Sequence, residues 1–166
     1  MNQSTFTPRK KVLFLGFAIA LFDQLVKYWM VLMLEGKSGW VLLPAGATLD
    51  NAWLWLDVTR NTGAAFGFGS GLTYLFSVLA IAVIGIIFIM VKNFSNPAWI
   101  LTLGLMMGGA AGNLVDRIFR SPGPFRGAVV DFISVKNFSV FNIADSFITI
   151  SAILIIIFTL LKIEEK

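Results

Sequence analysis

The chain alternates between long apolar stretches and short polar breaks, and the stretches have the length of a bilayer crossing. After a polar opening that ends in Arg9, Lys10 and Lys11, residues 12–34 are apolar apart from Asp23, Gln24 and Lys27. Residues 72–91 form a run of twenty with no charged side chain, the number an α-helix needs to cross ~30 Å of hydrocarbon. A polar link, Lys92 to Pro97, leads to a third stretch at 98–115; a long loop leads to a fourth at 143–161, which ends in the charged tail 162–166. The pattern predicts four transmembrane helices in a single membrane domain, residues 1–166. A cleaved signal peptide fits the first stretch poorly, since it is too long, contains charges and lacks a small-residue cleavage site.

The two long connections read differently. From Glu35 to Ser70 the apolar period breaks into short runs around Gly36, Gly39, Pro44, Gly46, Gly63, Gly67 and Gly69, with Trp40, Trp53 and Trp55 among them. Short strands and turns at a membrane interface are expected there. Residues 116–142 hold Pro122, Gly123, Pro124 and Gly127, then the strand-like run Val129 to Ile133. So long a loop in so small a protein points to function. The expected class is therefore an α-helical membrane protein, a four-helix bundle with a small β element. No internal repeat is visible, which disfavours an inverted-repeat transporter.

Composition agrees with the pattern and narrows the chemistry. In 166 residues, 57% are hydrophobic and 13% charged, with mean hydropathy +0.83, far from the mix of a water-soluble domain. There is no cysteine and no histidine, which removes disulfides, thiol nucleophiles, the usual zinc ligands and the usual general base. Carboxylate, lysine, arginine and amide groups are left, and no metal or cofactor is expected. The net charge of +4 is scattered, so no nucleic-acid partner is expected either. With the N-terminus inside, cations divide six against six between inner and outer flanks. Orientation then rests on the cluster before the first helix, which places both termini in the cytoplasm and both long loops outside.

Charged groups inside spans cost about 2.5–3.5 kcal/mol each on insertion scales, so each needs a reason. Asp23 and Lys27 share a helix face and can neutralise one another, as a structural pair or as support for a site. Gly104, Gly108 and Gly112 recur every fourth residue, a small-residue stripe for close helix packing. Around the outer end of that stretch stand Asn113, Asp116 and Arg117, at i, i+3 and i+4; either Arg117 pairs with Asp116 and snorkels, or the face offers an amide and a guanidinium to a ligand. The fourth helix opens with Asn142, Asp145, Ser146 and Thr149 on one face. Asp145 has no cation in the following turns, and Asp131 is the best neighbour to share a proton with it, with Val130 and Phe132 excluding water. Such a pair can activate water and polarise a peptide carbonyl. A cation site or proton relay would use the same residues, and a scaffold would need neither carboxylate.

Five blocks occur in order: Asp23-Gln24-x-x-Lys27, Asn61-Thr62-Gly63-Ala64-Ala65-Phe66, Gly108-Gly109-Ala110-x-Gly112-Asn113-x-x-Asp116-Arg117, Val130-Asp131-Phe132 and Phe141-Asn142-x-Ala144-Asp145. Together they closely resemble the signature of bacterial lipoprotein signal peptidase, or signal peptidase II. The resemblance implies an inner-membrane aspartic endopeptidase with an extracytoplasmic β-cradle. The implied substrate is a prolipoprotein whose cysteine already carries diacylglyceryl, cut just before that cysteine. Asp131 and Asp145 match the catalytic pair; Asn61, Gly63, Asn113, Arg117 and Asn142 match residues lining the site; Asp23, Lys27 and Asp116 match its supporting groups. Membrane lipids and globomycin-like inhibitors are the other implied partners, and a monomer is the expected working form. The stretch from Arg117 to Asp131 is longer than in many members of the family.

Overall fold

The computed structural model describes residues 7–44, 47–63 and 72–166. Ala64, Ala65 and Phe66 of the second sequence block lie outside these residues, as do Gly46, Gly67 and Gly69. Four helices are long and apolar enough to cross a membrane: α1 (Pro8–Leu34), α2 (Thr73–Met90), α3 (Pro97–Phe119) and α4 (Ile143–Leu160). Three begin with a side-chain cap. Thr7 and Asn96 accept from Lys10 N and Ala98 N, each just before a proline at the first helical position, where a missing N–H costs nothing. Asn142 caps α4 by a reciprocal bond with Asp145.

Helix α3 is the axis of the bundle and the most buried of the four. Its packing against α1 is a matter of missing methyls. The buried residues of α1, Val12, Gly16, Ile19, Ala20, Asp23 and Lys27, form one stripe at intervals of about a turn. The glycine row of α3 lies along that stripe. A Cβ on Gly108 would sit 2.6 Å from Ile19 Cβ and 3.0 Å from Gly16 O, and one on Gly112 would sit 2.7 Å from Asp23 Oδ2. Gly109 does the same for α4, where a Cβ would come within 2.5 Å of Ala144 O. The expected stripe of Gly104, Gly108 and Gly112 therefore packs on α1, and Gly109 beside it gives α4 the same close approach.

Strands β1 (Trp40–Leu43), β2 (Leu54–Asn61) and β3 (Val129–Val135) form an antiparallel sheet in that order. β2 pairs with β3 so that Thr59 faces Asp131 and Asn61 faces Val129. Side chains alternate along a strand; Val130 and Phe132 pack on Met30 and Leu34 at the end of α1, which turns Asp131 the other way. After β3 the chain doubles back, with Phe132 N and Ile133 N both donating to Phe141 O at 3.0 and 2.8 Å. That return delivers Asn142 and the start of α4 beside the strand.

Two helix limits differ from the apolar pattern. α1 begins at Pro8, so the basic cluster lies on the helix and not before it. α3 runs past Val115 to Phe119, so Asp116 and Arg117 belong to its last turns and not to the loop. The helix continues because these polar groups find partners and cover inside the bundle, which hydropathy alone does not reveal. The long Arg117–Asp131 connection is folded tightly onto the end of α3, with Gly127 N donating to Arg117 O at 2.9 Å and Ala128 N to Ser121 O at 3.1 Å.

Replacing Gly108 by alanine should lower stability by about 1–3 kcal/mol, the usual cost of an extra methyl in a filled contact. Thermal unfolding in detergent measures it; the same change at Gly85, where a Cβ meets nothing within 4 Å, should have little effect.

Candidate active site

The end of the bundle that carries the sheet also carries nearly all of its buried polar groups. A cavity of about 450 Å³ opens there, and Asn61, Gly63, Asn113, Arg117, Asp131 and Asp145 contribute to its wall. Six of the expected site residues thus meet in one place. Asn142 lies just behind that wall, wholly buried. Phe141 of the fifth sequence block lines it too; much of the remaining lining is apolar and was not singled out in the sequence, including Phe138, Val140, Ile148 and Ile150. Their signal was available only in part: Ser146 and Thr149, which also line it, stand on the polar stripe of the fourth helix, but the stretch before Phe141 has no motif of its own.

The two carboxyl groups are linked by a chain of amides. Asn142 Nδ2 donates to Asp131 Oδ1 at 2.6 Å and to Asn113 Oδ1 at 3.1 Å. Asn113 Nδ2 in turn donates to Asp145 Oδ1 at 2.7 Å. Asn61 Nδ2 takes the other oxygen of Asp131 at 2.8 Å, and the peptide N–H of Asn142 takes the other oxygen of Asp145 at 3.1 Å. Each carboxyl group thus has one donor on each oxygen. Asn142 and Asp145 do this while forming the capping box of α4, since Asn142 Oδ1 accepts from Asp145 N at 2.9 Å. Gly63 enters through its backbone, which donates to Asn61 Oδ1 at 2.9 Å and fixes which way that amide points.

Burial separates the pair. Asp131 is 1% exposed, whereas Asp145 is half-buried. Loss of hydration, and then repulsion from Asp145, push the Asp131 carboxyl from 3.8 to about 7, against the pull of the Asn61 and Asn142 amides. Burial disfavours the charged form of any acid.

Arg117 does not pair with Asp116. Its Nη1 reaches only Asn113 O at 3.4 Å, its Nε has no partner, and its guanidinium lies 5.8 Å over the Phe76 ring. Asp116 instead binds Lys27 at 2.9 Å and Arg120. Adjacent residues on a helix point apart while i and i+4 meet, so Arg120 rather than Arg117 is within reach. Lys27 also binds Asp23 at 2.7 Å, as the sequence suggested, and Asn113 Oδ1 at 3.0 Å. Gln24 of the first sequence block stands one residue off the Asp23–Lys27 face. It joins the group through Gly112 O at 3.0 Å and Asp116 Oδ1 at 3.2 Å. Among the described residues no cluster of three or more acidic side chains could hold a metal.

Fold and site define a four-span membrane protein with paired carboxyls held by amides at one end of the bundle. Residues 15–161 match the profile of the family described as signal peptidase (SPase) II, and the chain belongs to that family. It is 48% identical over 145 residues to a "Lipoprotein signal peptidase" of Streptomyces coelicolor, a match covering 85% of this chain and 68% of the relative. Proteins of the same name from Streptomyces griseus and Mycobacterium tuberculosis are 52% and 44% identical over 63% and 72% of this chain. The chain covers 54% and 60% of their lengths. A solved bacterial membrane enzyme superposes with a TM-score of 0.73 at 30% identity, over 93% of this chain and 92% of that one. The expected class, an enzyme of an aspartic peptidase family, is borne out by the family match.

The proton on Asp131 makes stability pH-dependent. The folded protein keeps it up to about pH 7, while the unfolded chain releases it near 3.8. Between those values the folded state binds more protons, so stability should fall as pH rises through the window. Thermal unfolding across that range should show this slope, and Asp131→Asn should flatten it.

Proposed function

We propose that this protein is a lipoprotein signal peptidase in which Asp131 and Asp145 activate water to cut a diacylglyceryl-modified prolipoprotein just before its lipidated cysteine. The observation that carries the reading is the chain of asparagine amides joining both carboxyl groups on one cavity wall, in a protein of the signal peptidase II family.

Two carboxyls that interact in a poorly hydrated site share one proton. Asp131 is the member that keeps it, because it is the more deeply buried. Asp145 is then the base that takes a proton from water, while Asp131 donates to the carbonyl oxygen of the scissile bond. As the tetrahedral intermediate collapses, the proton gained by Asp145 passes to the leaving nitrogen. Arg117, with an unpartnered Nε in the cavity wall, supplies a guanidinium for a peptide carbonyl of the substrate. Asn61, Asn113 and Asn142 hold the acids in position, and the apolar side of the cavity suits a lipid-modified peptide. Globomycin-like cyclic peptides would compete for this cavity.

The cavity lies where α1 and α3 end and α2 and α4 begin. With both termini in the cytoplasm this end is extracytoplasmic, which is the side on which an exported prolipoprotein presents its junction. The chain would work there in the inner membrane as a monomer.

Asp131→Asn and Asp145→Asn should each abolish cleavage of a diacylated prolipoprotein by the purified protein in detergent, with the fold retained. Near-parental cleavage by either variant would sink the assignment. Comparing diacylated with unmodified substrate tests the lipid requirement, and only the former should be cut. In a chain with neither histidine nor cysteine, a chelator should leave the rate unchanged; a loss restored by a divalent ion would count against water activation by the carboxyls alone.

A further inference from the structure

Arg117 stands beside two acids without bonding to either. It is 8% exposed and shares the cavity wall with Asp131 and Asp145, the acids whose charges act on it most. Yet none of the ion pairs among the described residues includes it. In a poorly hydrated site a guanidinium and an ionised carboxyl attract strongly, so something must hold the cation off. Its one hydrogen bond, 3.4 Å to Asn113 O on its own helix, is too long to do so. The remaining contact comes from α2: the guanidinium carbon lies 5.8 Å from the centre of the Phe76 ring, within the range of a cation–π attraction.

The face of α2 that carries this ring is fastened on both sides. Thr73, Phe76 and Ser77 stand at i, i+3 and i+4 and share that face. Thr73 Oγ1 donates to Thr62 O, in the link between Asn61 and Gly63. Ser77 Oγ donates to Phe125 O at 2.7 Å, in the long connection that follows Arg117, and Tyr74 meets the Phe125 ring edge to face with centroids 6.4 Å apart. Thr73, Ser77 and Ile87 are the buried residues of α2, so the two hydroxyls and their partners set where the outer end of the helix, and the ring with it, stands.

We propose that Phe76 is a positioning residue for Arg117: its ring holds the guanidinium on the α2 side of the cavity, out of an ion pair with Asp131 or Asp145, and leaves its N–H groups free for a substrate carbonyl. This rests on the reading of Asp131 and Asp145 as the reactive pair and of Arg117 as a donor to the peptide. A carboxylate would hold the cation by occupying its donors in pairs, whereas a ring face attracts the whole charge without accepting a strong hydrogen bond. The buried, unpartnered Nε is what such an arrangement leaves. Helix α2, which brings no charged side chain, thereby contributes to the site.

Phe76→Leu removes the ring face and keeps an apolar side chain. In the purified protein cleaving a diacylated prolipoprotein, KM should rise roughly 10-fold, the scale of a desolvated cation–π contact. kcat should change less, because bound substrate draws the guanidinium off the acids again. The pH profile should move as well. Asp145 on α4, Asp131 on β3 and Asp116 on α3 are the acids facing the guanidinium; Lys27 on α1 acts on Asp131, Arg120 is taken up by Asp116, and all of these stay in every Phe76 variant. A guanidinium released onto the pair favours the ionised carboxyls, so both limbs of the kcat/KM profile should shift to lower pH. Phe76→Tyr keeps the ring face and should stay near parental in both respects. A trifluorinated phenylalanine at position 76 keeps the shape while weakening the face; it should reproduce the leucine effects, and it serves where Phe76→Leu does not fold. In an Arg117→Ala background the leucine change should add nothing to KM.

Parental KM with an unmoved pH profile in a folded leucine or fluorinated variant overturns the proposal, as does an equal rise in KM with and without Arg117. The readings fail separately. Activity in Asp131→Asn sinks the reactive pair; parental KM in Arg117→Ala sinks the part of the guanidinium in binding, and this proposal with it; a raised KM in Arg117→Ala beside a parental one in Phe76→Leu sinks this proposal alone.

Discussion

Lys27 is a fully buried cation in a bundle meant for lipid, and each of its three N–H groups has an acceptor: Asp23, Asp116 and Asn113. An isolated charge in that position would be prohibitive. It is tolerated because the carboxylates lie close by, and they lie close by because α1 and α3 approach through glycine. Arg120, partly exposed, balances the second carboxylate. Contact geometry and electrostatics therefore depend on each other. A side chain on Gly112 would enter the space of Asp23 Oδ2 and separate the ion pairs as well as the helices.

The sheet and the bundle meet at this group of charges. β3 is one of three strands lying across the helix ends, and what fixes its depth is the Val130 amide on Asp116 together with the packing of Val130 and Phe132 on Met30 and Leu34. The sheet then turns Asp131 inward, pairs it across to Thr59 and places Asn61 within reach of its carboxyl group. Glu35 and Arg60 join the end of α1 to β2 at 2.6 Å on the exposed side, a contact that contributes little by itself.

Much of this was readable in the chain. Twenty uncharged residues, a glycine every fourth position and a polar stripe at the head of the last helix are local properties, and local properties survive in a sequence. The expected pairing of Asp131 with Asp145 depended on the chain folding back between them, which the Phe141 return achieves. What was not readable was contact across helices. Hydropathy ended the third helix before Asp116, because nothing in one sequence says that Lys27 waits opposite. The contacts of Gln24 with α3 are hidden for the same reason, and of the two readings of Arg117 the pairing with Asp116 is the one that helix geometry rules out. The reciprocal spacing of Asn142 and Asp145 could have been read as a helix start, which would have fixed the orientation of Asp145 from sequence alone.

That capping box has a mechanical consequence. Along α4 only Ala144 and Ser151 are buried, and its first turn is capped by Asn142 and Asp145, which also belong to the amide-linked carboxyl cluster. Asp145 places an acidic side chain at the positive end of a helix dipole, an interaction worth about 0.3–1 kcal/mol, and supplies the acceptor that holds Asn142 N. Displacing either side chain would therefore loosen the first turn of a membrane-spanning rod. The helix is a recording element as well as a support: spectroscopic labels along α4, far from the cavity, would register a rearrangement of side chains they never touch.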